Sequence, residues 1–255
     1  MLVQSPERHL AERVRQEPKR RHLTVDRVTR LTPKMLRIDF SSPELRDFAS
    51  YAPDDHVKLF LPDPDPARGQ CMRDYTPRAY DAARGRLTID FAVHQAGPAT
   101  AWALSAKLGD RLEIGGPRGS TVIPDDFDYY LLVGDETALP AIGRRVEGLR
   151  DGVPVTTVIV VDGPEEIQSF ATRADWRPLW VFRTGLSLDD AVLLQSALAT
   201  WRTPEGDGYV WIGAEASVAR ALRTTMLEER GQPKAWLKAA GYWVRGQAGA
   251  AEKFE

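Results

Sequence analysis

YYLLVGDETALPAIGRRVEGL, residues 129–149, decides the fold class. Tyr129 to Gly134 is apolar without a polar break, as a strand buried on both faces must be. Gly134-Asp135-Glu136-Thr137 turns the chain, and the residues from Ala138 onward carry apolar side chains at helical spacing. Towards the C-terminus the rhythm repeats. VPVTTVIVVD (153–162) is a second buried run, and PEEIQSF (164–170) takes the helical place after it. PLWVFR (178–183) precedes LDDAVLLQSALATW (188–201). YVWIGA (209–214) reads as the last strand and precedes SVARALRTTMLEER (217–230). Such alternation predicts a parallel sheet covered by helices on both faces.

Towards the N-terminus the period changes to two. HLTVDRVTRL (22–31) and KMLRIDF (34–40) alternate or carry β-branched residues. HVKLFLP (56–62) stops at Pro62, and RLTIDFAVH (86–94) sets Leu87, Ile89, Phe91 and Val93 on one face. The connections, such as PDPDPARG (62–69), are rich in breakers. An antiparallel β-barrel is expected, interrupted by one helix from Gly97-Pro98 to about Gly109 and closed by RLEIGGPRGS (111–120). The expected organisation is therefore an N-terminal extension (1–21), a barrel domain (22–124), a parallel α/β domain (125–246) and a loose tail (247–255).

Between two barrel strands stands RDYTPR (73–78). On an extended backbone Arg73 and Tyr75 share a face, with Thr76 next to them. These are the chemistries a flavin dinucleotide needs. A guanidinium forks onto a pyrophosphate, a ring stacks on the flat ring system, and a hydroxyl bonds the edge that accepts hydride. An edge strand with ordinary surface residues is the alternative. Gly97-Pro98-Ala99-Thr100 opens a helix, whose free N–H groups seat phosphate, unless it is a simple cap. Asp90, Phe91 and His94 on the preceding strand read, by themselves, as a surface carboxylate, a core aromatic and a strand-end histidine.

In the α/β half the turn after the first strand is not GxGxxG, so a dinucleotide Rossmann fingerprint is absent. Asp135 and Glu136 would repel phosphate, so hydrogen bonds to ribose or adenine suit them. Thr137 reads as a cap or a phosphate contact. Gly213-Ala214-Glu215, after the expected last strand, suits an approaching nicotinamide nucleotide, or is a tight connection.

The 255 residues contain 34 basic and 36 acidic side chains, for a net charge of −2. That balance argues against a nucleic-acid partner. The single cysteine, Cys71, excludes an intramolecular disulfide and a thiolate cluster within one chain. The four histidines lack HExxH spacing, so no protein-ligated metal is expected. MLVQSPERHLAERVRQEPKRRHL at the start has no apolar h-region, and no stretch has the length of a membrane span. A cytoplasmic location and a monomer are expected.

A barrel carrying RxYT followed by a parallel domain is the plan of ferredoxin-reductase-like flavoenzymes. Within that plan the chain closely resembles the siderophore-interacting protein family, the ferric-siderophore reductases, from about Arg21 to Gly246. The resemblance rests on VTRLTPKMLRIDF, DDHVKLFLP, RDYTPR, LTIDFAVH, GPATAWA, GDRLEIGGPRGS, YYLLVGDETALPAIGRRVE and GYWVRG. It implies FAD held by Arg73, Tyr75 and Thr76, by the strand carrying Asp90, Phe91 and His94, and by the helix start with Gly97, Ala99, Thr100 and Ala101. Thr76 holds the hydride-accepting edge. Thr137 and Ala138 lie near the nucleotide half of FAD, and Trp243 near the flavin. NAD(P)H, met by Gly213, Ala214 and Glu215, or reduced ferredoxin supplies electrons to a ferric siderophore. Lys58, Arg118 and Arg245 match places where the family sets cations around an anionic iron chelate; three unrelated surface charges are the alternative. Where the family often has alanine-glycine-glutamate, this chain has Gly213-Ala214-Glu215. The short tail after Gly246 puts an extra C-terminal substrate element in doubt. Other readings are a flavin reductase feeding a different redox partner, or a non-catalytic siderophore or flavin carrier.

Overall fold

In the computed structural model, which describes residues 8–254 apart from 64, 66, 68, 95, 96, 184–188 and 248, two sheets carry the two rhythms of the sequence. The N-terminal half runs through β1 (Glu12–Arg15), β2 (Arg20–Thr32), β3 (Met35–Ser41), β4 (Val57–Pro62), β5 (Gln70–Tyr75), β6 (Pro77–Asp81), β7 (Arg86–Ala92), α1 (Pro98–Ser105), β8 (Arg111–Gly115) and β9 (Gly119–Val122). The C-terminal half runs through β10 (Tyr129–Gly134), α2 (Leu139–Gly148), β11 (Pro154–Val161), β12 (Asp175–Phe182), α3 (Asp190–Thr200), β13 (Gly208–Glu215), α4 (Ala216–Thr224), β14 (Leu237–Trp243) and β15 (Glu252–Lys253).

Seven antiparallel strands form the first sheet in the order β5-β4-β8-β2-β3-β7-β6. Its edge strands β5 and β6 follow one another in the chain yet are not hydrogen-bonded neighbours. The expected barrel thus takes the form of a curled half-barrel whose two edges meet at Thr76. Period-two alternation fills its interior, with Leu87, Ile89 and Phe91 of β7 packed against Val57, Leu59 and Leu61 of β4. Ahead of β2, β1 pairs with β9.

The second sheet has the order β12-β11-β10-β13-β14-β15 and is parallel except for β15. β10 shows why both faces are covered. Tyr130 and Leu132 point into one core with Ile142 and Val146 of α2. Leu131 and Val133 point into the other with Leu198 of α3 and Leu222 of α4. The first of these cores also takes in Met35 of β3 and Ala92 of β7, which joins the halves.

Three local expectations give way. PEEIQSF forms only a 3-10 turn, Pro164–Glu166, because Ile167 is already extended and Glu166 is turned away. Its buried carboxylate accepts from the Thr32 hydroxyl and from Lys34 N (2.9 Å) on the β2–β3 hairpin. YVWIGA is not the last strand, since β14 continues the parallel order beside it. The tail is not loose: Glu252 and Lys253 pair with Gly241 and Ala240, and Phe254 packs on the α4 core. No helix among the described residues is long and apolar enough to cross a membrane.

Candidate functional site

The RDYTPR segment lies at the corner between β5 and β6. On β5 burial alternates, so that Cys71, Arg73 and Tyr75 share the inward side, opposite Leu61, Leu59 and Val57 of β4. Tyr75 packs its ring 4.6 Å from that of Phe91, and burial pushes its phenol well above the ordinary value. Arg73 bonds only the neighbouring Met72 carbonyl, at 2.7 Å, and makes no ion pair among the described residues. Thr76 is buried in the corner itself.

α1 begins close by. Its N-cap is Gly97, which offers no side-chain cap, and Pro98 is in the first turn. His94 is exposed beside Gly97. Ala99 and Thr100 are buried and Ala101 is exposed. The Thr100 hydroxyl is buried without a hydrogen-bond partner among the described residues. An orphaned hydroxyl at an uncapped helix start, with Arg73 on the same curled sheet making no ion pair among the described residues, is what a pyrophosphate would satisfy. The residues present therefore fit a flavin dinucleotide. Asp90 behaves differently. Its carboxylate is held bidentately by Arg37 at 2.7 Å and lies 3.7 Å from Arg78. Arg78 in turn grips Glu147 of α2 at 2.7 and 2.8 Å. The Asp90 side chain thus belongs to a strut between the halves.

The strand ends of the second sheet come together on the far side of Thr76. Gly134 permits this: a Cβ there would stand 2.5 Å from the Gly213 carbonyl and 2.6 Å from the Ala138 Cβ. Asp135 does not point outward to a ribose, as the sequence suggests; it is fully enclosed. It accepts from Thr137 N (2.9 Å) and the Thr137 hydroxyl, from Glu215 N (3.0 Å) and from Trp243 Nε1 (2.9 Å). Burial, and then the neighbouring Glu136 carboxylate, push its pKa up to about 6 against the pull of these donors. Glu136 is taken by Arg183, which also holds Asp162 and Asp190.

Glu215 caps α4, accepting from Ser217 N (2.7 Å), Val218 N (3.2 Å) and the Ser217 hydroxyl, and also takes Arg245 N at 3.1 Å. Burial pushes its pKa up, but the bonds from Ser217, Arg245 and Val218 outweigh it and hold the carboxyl below the usual range. Gly213 and Ala214 are buried within β13. Trp243, half-buried, is oriented by Asp135.

Of the three expected cations, Lys58 is paired with Asp74 at 2.8 Å. Arg118 and Arg245 are exposed. Lys58 stands opposite Gly115 in the sheet, just before the turn that carries Arg118. Sequence reasoning missed Tyr242. Its buried hydroxyl lies beside Thr76 without forming a well-shaped hydrogen bond, and burial raises its pKa far above the ordinary value. The closing GYW was the available signal, but it points equally to the tryptophan.

Comparison with known proteins gives matches over both halves of the chain. The siderophore-interacting protein model matches residues 127–246, and the siderophore-interacting FAD-binding domain model matches 24–71 and 65–121. An NADPH-dependent ferric-chelate reductase of Escherichia coli K12 is 34% identical over 250 residues, covering 91% of this chain and 96% of that protein. The crystal structure of a siderophore utilization protein from T. fusca is 35% identical with a TM-score of 0.86, over 95% of this chain and 98% of that one. The siderophore-interacting protein SipS of Aeromonas hydrophila is 29% identical with a TM-score of 0.78, over 92% and 93%. The fold is ferredoxin-reductase-like, shared with more distant structures. The chain is an FAD-binding oxidoreductase of that fold.

Proposed function

The chain belongs to the siderophore-interacting protein family, and we propose that it reduces Fe(III) in a siderophore to Fe(II) in the cytoplasm, as a monomer, with electrons from NAD(P)H. The observation that carries this reading is the meeting of the Thr76 corner with Tyr242 at the end of β14. A flavin edge held at Thr76 faces the strand ends of the α/β half, where open sheets receive nucleotides.

Bound FAD supplies the exchange between two-electron and one-electron chemistry that iron requires. The rest is positioning. Arg73, the N-terminus of α1 and the Thr100 hydroxyl hold the pyrophosphate. Tyr75 gives the ring system an apolar wall, and Thr76 orients its edge by a hydrogen bond. Tyr242 and Trp243 exclude water from the same edge. Residues 22–124 serve FAD and residues 125–246 serve the nicotinamide nucleotide, with Gly213 to Glu215 lining its approach.

Lys58, Arg118 and Arg245 form a local cationic field for an anionic ferric chelate despite the net charge of −2. The chelate competes with Asp74 for Lys58. One added electron turns Fe(III) into Fe(II), which hard oxygen ligands hold less well, so no general acid is needed for the transfer.

The test is an anaerobic absorbance titration of FAD-loaded protein with NADPH, followed by a ferric siderophore and an Fe(II) trap. Bleaching, then recovery of the flavin band as trapped Fe(II) appears, is the expected result. Protein that takes up no FAD, or reduced protein that yields no Fe(II) from any ferric siderophore, overturns the reading.

A further inference from the structure

Asp135 is more heavily bonded than a helix entry requires. The Thr137 main-chain bond alone would shape the turn that leads into α2. Yet the same carboxylate reaches Glu215 N and the Trp243 indole, 80 and 108 positions along the chain. Glu215, held in this way, passes the restraint on, because its side chain takes Arg245 N. The segment Trp243-Val244-Arg245 is therefore tied at both ends, directly at Trp243 and through Glu215 at Arg245. The residue before it, Tyr242, lies beside Thr76. These contacts cluster where β10, β13 and β14 end, buried at Asp135 and Glu215 and opening to solvent at Arg245.

We propose that Asp135 is a positioning residue that fixes the Trp243–Arg245 segment against the Thr76 corner, so that the Trp243 ring and the Arg245 cation stand at the reacting edge of the flavin. This rests on the flavin-reductase reading above. The chemistry explains why a carboxylate is needed. All four partners donate: two main-chain N–H groups, one hydroxyl and one indole N–H. An ionised carboxylate accepts from all of them, two at each oxygen, whereas an amide would turn its own N–H₂ towards one of these pairs, Thr137 or Glu215 N with the Trp243 indole.

Burying that charge is costly, and the donors offset the cost only in part, so the group takes up a proton more readily than an ordinary aspartate. The ionisable groups around it are Glu136 on its own turn, Glu215 at the β13–α4 junction and Tyr242 on β14. When Asp135 gains a proton, one acceptor position becomes a donor and one of its partners must let go.

The readout needs no cofactor. The ¹⁵N-labelled protein has seven tryptophans, and so seven indole N–H signals. Trp243→Phe identifies the relevant one. That signal is expected downfield in the wild type, moving upfield as pH falls through about 6. In Asp135→Asn it is expected upfield and indifferent to pH.

In FAD-loaded enzyme, Asp135→Asn should lower kcat/KM for an anionic ferric chelate about tenfold, the loss of one charge-assisted bond. FAD affinity should change less than about twofold. Trp243→Phe removes only the donor and keeps a ring, so it carries the kinetic test if the Asn variant does not fold. An unchanged indole signal in Asp135→Asn, or kinetics within about twofold of wild type for whichever variant folds, overturns the proposal. Wild-type protein that reduces no chelate would remove the reductase reading, while the indole signal would still decide whether Asp135 positions Trp243.

Discussion

The flavin cradle of the seven-stranded sheet and the strand ends of the six-stranded sheet treat most of their polar groups differently, although the Tyr242 hydroxyl at the strand ends is, like Thr100, without a partner among the described residues. Among the described residues of the cradle, Arg73 hydrogen-bonds only a neighbouring carbonyl, and the buried Thr100 hydroxyl has no partner. At the strand ends Arg183 bonds three carboxylates, Asp135 accepts from three residues and Glu215 serves both α4 and Arg245. An unsatisfied buried group costs about 1–3 kcal/mol, and one that lines a ligand site is a place where a ligand can recover that cost. Where a surface must hold its own shape, the polar groups are satisfied internally.

Arg73→Ala tests the open side most severely. A charge-assisted contact to phosphate contributes about 1.5–3 kcal/mol. FAD affinity, followed by quenching of flavin fluorescence, should therefore fall about tenfold to a hundredfold. The melting temperature of the cofactor-free protein should barely move, since no ion pair is lost. A drop of more than about 4 °C, the mark of about 1 kcal/mol or more in a chain this size, would make Arg73 a structural residue and dissolve the contrast.

Glu215→Ala probes the closed side, where the expected effects are reversed. Removing an N-cap that also holds a loop should cost about 2 kcal/mol, or a melting temperature lower by about 4–8 °C, with FAD affinity nearly unchanged. The folded carboxyl sits below its ordinary pKa, chiefly through Ser217 and Arg245 acting against burial. Its contribution is thus fully present above the unfolded value and is lost as pH falls through the folded value. The gap in melting temperature between wild type and Glu215→Ala should be widest at neutral pH and close below about pH 4. A gap that persists under acid would mean the charge plays no part.

How much of this was legible in the sequence depends on how local each feature is. The β5 alternation and the two faces of β10 follow from period two alone. β14, LKAAGYW, hides because alanine and glycine have little strand preference; pairing along β13 makes it a strand. PEEIQSF carries a helical pattern, yet Glu166 is drawn off to the β2–β3 hairpin more than 130 positions away. Distance in sequence, here 80 and 108 positions, likewise explains why Asp135 reads as a ribose ligand. Its real partners, Glu215 and Trp243, become neighbours only when β10, β13 and β14 assemble.

Thr100→Val gives the smallest effect and the sharpest sign. Valine has nearly the shape of threonine and nothing left to satisfy. Replacing a buried hydroxyl that lacks a partner should leave the cofactor-free protein as stable or stabilise it by up to about 1 kcal/mol, raising the melting temperature by about 2–4 °C. FAD affinity should fall about threefold to tenfold, because the hydroxyl that would meet the pyrophosphate is gone. Opposite signs for stability and binding are the signature of a group kept unsatisfied for a ligand. If Thr100→Val instead loses stability, the hydroxyl already has a partner in solution, and the cradle is no more open than the strand ends it faces.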